Sequence, residues 1–387
     1  MTVLDLVQVL AGVSSLIALA GLGQALAGWS ALRRHLRQTV RAADAYPAVT
    51  VLKPLHGGEP LLEEALATVF TQDYPVFQLV FGLQDPHDPA LAILNRLRAR
   101  FPEVDTAVVV DPTMHGVNRK IGNLLNTWPQ VSHGIVVIAD SDIHAAPDYL
   151  RSLVDALMQP GVGLVTTLYT GRPSNGTLTA RLGAAQINHS FLPGALMARS
   201  LGRQDCLGAT MALHRDTLER VGGLAALQDH LADDAVLGRL VQATGGRVAL
   251  ARTIPATTVP EDQLTDLLEH ELRWARTIRH LAPAGFVSSA LQYPLFWALL
   301  ALGMVATPWA LVAFVAAWGV RAVVAVSVDR ALGVATRLPI WCLPLRDTMS
   351  IAVMLASYRT DQVAWRGQTL RATPAPRTPV LSQGPLP

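Results

Sequence analysis

The sequence predicts an α/β domain with a mostly parallel sheet, set between apolar segments that belong in a membrane. Short apolar runs alternate with helical patterns from about residue 47 to 260. Uncharged stretches long enough to cross a bilayer occupy both ends of the chain. Of the 387 residues, 51% are hydrophobic and only 16% are charged, with a mean hydropathy of +0.32. That is apolar for a soluble protein but too polar for a pure transporter.

Val7 to Trp29 carries no charge, enough for a helix to cross a ~30 Å hydrocarbon core. Arg33, Arg34, His35, Arg37 and Arg41 follow it. A signal peptide places its positive charge before the apolar run, so residues 1–30 read as a retained anchor whose C-terminal flank is cytoplasmic. At the other end, residues 284–358 read as membrane segments. Phe286 to Met304 and Pro308 to Val328 suggest a hairpin joined near Ala306-Thr307-Pro308 and interrupted only by Arg321. Leu338 to Tyr358 contains Arg346 and Asp347, and crossing, re-entry and an interfacial position all remain open for it. The basic residues on both its flanks favour a re-entrant or interfacial segment. The Pro-rich tail, 373–387, is expected to be disordered.

Within the soluble part, the candidate strands are Val49 to Leu52, Phe77 to Leu83, Thr106 to Val110, Ile135 to Ala139 and Gly163 to Thr167. Leu62, Leu66 and Val69 stand at helical spacing between the first two, and LAILNRLRARFP does the same between the second and third. This is the βαβ rhythm of parallel strands. A formal charge of +2 gives no sign of a nucleic-acid partner. Cys206 and Cys342, far apart and without CxxC spacing, exclude a disulfide framework and a zinc signature.

The chemistry gathers at strand ends. Asp140, Ser141 and Asp142 follow Ile135 to Ala139, and alternate side chains of an extended segment point the same way. Two carboxylates at the carboxyl edge of a parallel sheet suit Mg²⁺ or Mn²⁺ held against a diphosphate, although a lone DxD equally describes a turn. Gln84-Asp85 ends another strand, where an acid can accept hydrogen bonds from a base or ribose. Asn118-Arg119-Lys120 opens a helical stretch, which suits a phosphate. Asp233-Asp234 precedes the amphipathic segment AVLGRLVQATGG. One of the pair can cap that helix, with Asp233 as the N-cap, while the other takes a proton from an acceptor hydroxyl. In His270-Glu271-Leu272-Arg273-Trp274, His270 and Trp274 share a helix face, and Arg273, Arg276 and Arg279 make another side basic, as for a helix lying on anionic lipid.

These motifs occur in one order: VLKPLHG (Val51 to Gly57), QDPHDP (Gln84 to Pro89), NRKIGNL (Asn118 to Leu124), DSD, ADD and HxxRW. In that series the chain resembles the ceramide glucosyltransferase family of processing glycosyltransferases with a GT-A fold, and most of all its bacterial hopanoid-associated branch. The resemblance implies a Rossmann-like mixed sheet over 47–281. It also implies a nucleoside contact at Asp85, Lys120 near the diphosphate, the metal at Asp142 with Asp140, and a catalytic base at Asp234. Arg273 and Trp274 match the final motif, which closes over the donor, although that motif begins with Gln or Arg where this chain has His270. Cys206 falls where relatives carry a Cys near the acceptor side.

The function expected from this is an inverting transferase at a bacterial cytoplasmic membrane, its catalytic domain facing the cytoplasm. It would need a divalent cation and move N-acetylglucosamine from a UDP-sugar to a lipid hydroxyl, a hopanoid polyol. The rivals are a ceramide or diacylglycerol glucosyltransferase, and a non-catalytic transporter or receptor with a degenerate nucleotide-binding domain.

Overall fold

The structure, a computed structural model, describes residues 2–365 and 368–371, so the tail from Thr373 on lies outside the described residues. The chain divides into two compact units. Among the described residues, one is formed by Gln38–Tyr169 with Arg203–Thr258, the other by the chain up to Arg37, Thr170–Gly202 and the chain from Val259 to Arg371. The strands as far as residue 259 are, in chain order, β1 (Val49–Pro54), β2 (Phe77–Leu83), β3 (Asp105–Val110), β4 (Ile135–Ala139), β5 (Ile143–His144), β6 (Val162–Thr166), β7 (Thr170–Pro173), β8 (Thr210–His214), β9 (Arg247–Leu250) and β10 (Ala256–Val259).

The first unit is built on a seven-stranded sheet of order β3-β2-β1-β4-β8-β6-β9. β3, β2, β1 and β4 are parallel neighbours, β8 lies antiparallel between β4 and β6, and β9 returns parallel to β6. The sheet is therefore mixed, as the GT-A resemblance implies. The strand that makes it so, β8, is short and carries no period of its own.

Both faces of the sheet are covered, so its strands are apolar on both sides. Val49, Val51, Leu79, Phe81 and Val137 enter one core with Leu66, Leu94 and Leu153. Leu52, Val80, Val136, Ile138 and Met211 enter the other with Ile121, Leu124 and Leu237. On that second face the helix Arg119–Thr127 lies very close to β2, because Asn123 Nδ2 donates to the Gly82 carbonyl at 2.9 Å. A Cβ on Gly82 would stand 1.9 Å from Asn123 Oδ1, so only glycine permits this approach.

In the second unit, among the described residues, three helices are long and apolar enough to cross a membrane: Val3–Arg37, Pro308–Ala331 and the run Ile340–Arg359. The expected first arm of the hairpin, Phe286 to Met304, is not one helix. Pro283–Gln292 and Pro294–Val305 meet at 65°, and the break falls where Pro294 has no N–H to continue the ladder. Proline also opens Pro308–Ala331, where Thr307 accepts from the Ala310 N–H at 3.2 Å. Inside the candidate spans Arg321, Arg346 and Asp347 are buried, with Arg321 3.8 Å from Asp347. His189 is also buried and bonds to the buried Asp329 at 2.7 Å.

Gly82→Ala is expected to lower the stability of the purified protein by about 1–3 kcal/mol, the usual cost of overpacking. Thermal unfolding in detergent measures it, and an unchanged midpoint would contradict the close approach of this helix.

Candidate active site

At the end of β4 the chain turns through Asp140, Ser141 and Asp142 into β5, which pairs antiparallel with β10, Thr257 opposite Ile143. That pairing brings the Thr257 hydroxyl to donate to Asp142 Oδ2. Burial pushes the Asp142 carboxyl up to about 6, the charge of Asp140 adds to the shift, and Thr257 opposes it. Ser141 turns the other way and donates to Glu59 Oε2 at 2.6 Å. Beneath the turn Lys53, buried in β1, donates to the Asp140 carbonyl. Burial lowers its ammonium to about 8, against the pull of Asp142, Asp140 and Glu59.

Lys120 reaches the same edge from the helix Arg119–Thr127. Asn118 caps that helix, its Oδ1 accepting from the N–H groups of Lys120 at 3.0 Å and Ile121 at 3.2 Å. The Lys120 ammonium stands 2.7 Å from Asp140 Oδ1, 3.8 Å from Asp233 Oδ2, and donates to the Gly208 carbonyl at 3.2 Å. Burial disfavours its charge, but the Asp140 and Asp233 carboxylates outweigh that and hold it above the ordinary lysine range.

Asp233 does not cap its helix. The helix runs Asp233–Ala243 with Ala232 as N-cap and no side-chain cap bond, so Asp233 is the first helical residue. Its Oδ1 instead accepts from Asn118 Nδ2 at 3.2 Å, which supplies the donor that a buried carboxylate oxygen needs. Asp234 accepts from the Ala235 N–H at 2.7 Å. Burial and then the charge of Asp233 push its carboxyl up to about 7, near the operating range of a general base. A Cβ on Gly208 would lie 3.0 Å from Asp234 Oδ2, so glycine there keeps that oxygen uncrowded. Tyr169 senses the whole group: burial, then Asp234, Asp140 and Asp142, hold its phenol far above the usual range.

Cys206 is buried behind this cluster, its Cβ 2.9 Å from where a Cβ on Gly238 would sit, and burial pushes its thiol up. Asp85, exposed at the end of β2, accepts from the His87 N–H at 2.8 Å and so bonds locally, apart from the Lys120 cluster. His270, Arg273 and Trp274 belong to the second unit, on the helix Leu264–Leu281. There His270 bonds Glu261 and meets the Trp274 ring edge-on at 4.6 Å between centroids. The structure thus joins Lys120, Asp140, Asp142, Asp233 and Asp234 within one unit. It adds Lys53, Glu59, Tyr169 and Thr257, which sequence reasoning did not single out. Lys53 alone carried a signal, as a cation inside an apolar strand.

Among the described residues no group of three or more His, Cys, Asp or Glu stands ready to hold a metal. Asp140 and Asp142 nonetheless fit a hard cation, which is ordinarily held by one or two carboxylates together with substrate phosphates. Burial and then the charge of Asp140 disfavour the ionised Asp142 carboxyl, a cost that a cation held there would offset.

A mixed sheet with carboxylates gathered at the end of its central parallel strand defines a nucleotide-sugar transferase fold of the GT-A type. The chain belongs to glycosyl transferase family 21, which it matches over residues 13–378. Ceramide glucosyltransferase 1 of Caenorhabditis elegans is 24% identical over 223 residues, 57% of this chain and 47% of that protein. The ceramide glucosyltransferase of Komagataella phaffii is 30% identical over 125 residues, 31% of this chain and 25% of that protein. The chain spans about half the length of these curated relatives or less. In structure it is similar to the mannosyltransferase PcManGT from Pyrobaculum calidifontis, solved with GDP-Man and Mn²⁺. The TM-score is 0.52 at 21% identity, covering 90% of this chain and 99% of that one.

Between about pH 4 and 7 the folded chain keeps protons on Asp142 and Asp234 that the unfolded chain has released, so stability falls as pH rises through that window. Asp234→Asn is expected to raise the melting temperature at pH 8 and to flatten this fall. Thermal unfolding of both proteins from pH 4 to 8 checks it, and an unchanged pH slope would count against burial of the carboxylate.

Proposed function

We propose that this protein is an inverting, membrane-bound glycosyltransferase that moves a sugar from a nucleotide-diphosphate donor to a lipid hydroxyl. The observation that supports it most is the Lys120 ammonium standing 2.7 Å from Asp140 and 3.8 Å from Asp233, which draws together the strand end that carries Asp142 and the helix start that carries Asp234. A degenerate, non-catalytic domain has no need to keep this much buried charge.

In this reading Asp234 accepts the proton of the acceptor hydroxyl, whose oxygen forms the new bond to the anomeric carbon. The bond from that carbon to the diphosphate breaks, and the electron pair leaves with the nucleotide. One displacement inverts the configuration. Asp142 and Asp140 would hold a divalent cation, Mg²⁺ or Mn²⁺, which would neutralise charge on the departing diphosphate. Lys120 adds a cation at the same edge, Asp85 meets the nucleoside, and Arg273 and Trp274 contact the donor. The solved neighbour's GDP-Man and Mn²⁺ belong to the same class of ligands.

The finer reading, UDP-N-acetylglucosamine and a hopanoid polyol at a bacterial cytoplasmic membrane, rests on the motif series of the hopanoid-associated branch. A ceramide acceptor with UDP-glucose is the second reading, favoured by the names of the curated relatives. Purified protein offered each donor with hopanoid polyol, ceramide or diacylglycerol in vesicles, with products read by mass spectrometry, separates these. No sugar on any lipid would refute the proposal.

Asp234→Asn should bind donor like the wild type while turnover drops roughly 10²–10⁴-fold, the usual contribution of a general base. Asp142→Asn should lose metal-dependent donor binding as well. Wild-type turnover in Asp234→Asn, or equal activity in EDTA and in Mn²⁺, contradicts these roles. The cytoplasmic orientation predicts that protease added to sealed right-side-out vesicles leaves Gln38–Tyr169 intact.

A further inference from the structure

Glu271 and Arg346 form a buried fork within the second unit. Arg346 Nη1 and Nη2 lie 2.7 Å from Glu271 Oε1 and Oε2, and the two side chains are 2% and 8% exposed. The guanidinium also donates to Ser350 Oγ at 3.1 Å, Ser350 donates to Gln186 Oε1 at 3.0 Å, and Gln186 donates to the Tyr293 hydroxyl at 3.1 Å. This polar chain sits among Leu267, Ala275, Phe286 and Val353, on an arginine inside a segment apolar enough to span a membrane.

We propose that Arg346 is a positioning residue for Arg273 and Trp274, its fork with Glu271 setting the rotation of the helix Leu264–Leu281 that carries them. This rests on the donor-contact reading given above. His270 with Glu261 and Arg279 with Asp361 hold other points of this helix, but the Glu271 fork is bidentate and its two side chains are buried, and such a guanidinium–carboxylate pair accepts one orientation. At about 100° per residue, Arg273 stands roughly 200° around the helix from Glu271, so burying Glu271 against Arg346 aims Arg273 to the opposite side. A buried ion pair adds little stability over well-packed apolar residues of similar volume, so orientation is the better account of its presence here.

The test compares full-length wild type, the apolar double variant Glu271→Leu/Arg346→Met, and the charge reversal Glu271→Arg/Arg346→Glu. Spin labels at the exposed positions Glu269 and Leu355 report the helix-to-helix distance, alongside melting temperature and the KM values for donor and lipid. The apolar variant is expected to melt near the wild-type temperature but to show a broadened label distance. Its donor KM should rise on the order of tenfold or more, with an unchanged lipid KM. The charge reversal should recover a narrow distance and part of the donor KM. A merely structural role lowers the active fraction and leaves donor KM alone. A narrow label distance and wild-type donor KM in the apolar variant would overturn the proposal while the functional reading stands. If the wild type transfers no sugar, the functional reading fails and the positioning role falls with it, whereas the label distance still decides whether the fork orients the helix.

Discussion

The Lys120 ammonium lies where the chain brings carboxylates together from β4 and from the helix Asp233–Ala243, and the rest of the site is arranged around that charge. Asp140 meets it at 2.7 Å and Asp233 at 3.8 Å, while Asn118 both caps the helix that carries Lys120 and donates to Asp233. Burial here disfavours charge on the carboxylates, and their mutual repulsion adds to it, so Asp142, Asp233 and Asp234 are all raised toward neutrality despite the Lys53 and Lys120 ammonium groups. Such groups are costly to the fold, and carboxyls perturbed in this way gather at functional sites.

The scaffold makes that cost bearable. Helices cover both faces of the mixed sheet, so two apolar cores hold β1, β2 and β4 in register, and the turn after β4 is tied down by Lys53 below and Thr257 beside it. The close seat of Asn123 on Gly82 fixes how far the Lys120 helix stands from the sheet. A strand end held from three sides keeps like charges together that would otherwise move apart.

The second unit solves a different problem, that of charge among apolar helices. Arg321 with Asp347, His189 with Asp329, and Arg346 with Glu271 each pair a charge that hydrocarbon would not tolerate alone. The Glu271–Arg346 fork ties the motif-bearing helix Leu264–Leu281 to one of these apolar segments.

Whatever depends on near neighbours in the chain was legible in the sequence. The apolar runs of β1, β2 and β4, the helix start at Asn118, the acids closing β4 and the uncharged anchor are all local patterns of period or composition. The motif order carried the family, since each motif is short and self-contained. Tertiary structure alone decided what those motifs touch. Asn118 and Asp233 meet across 115 residues, Glu271 and Arg346 across 75, and β8 enters antiparallel between strands from other parts of the chain. Asp233 left its cap position for Asn118, and Pro294 broke an apolar run that composition reads as continuous. Periodicity reports which face of an element is apolar; the choice of partner for a buried charge is made by whichever segment the fold delivers, and no local pattern encodes that.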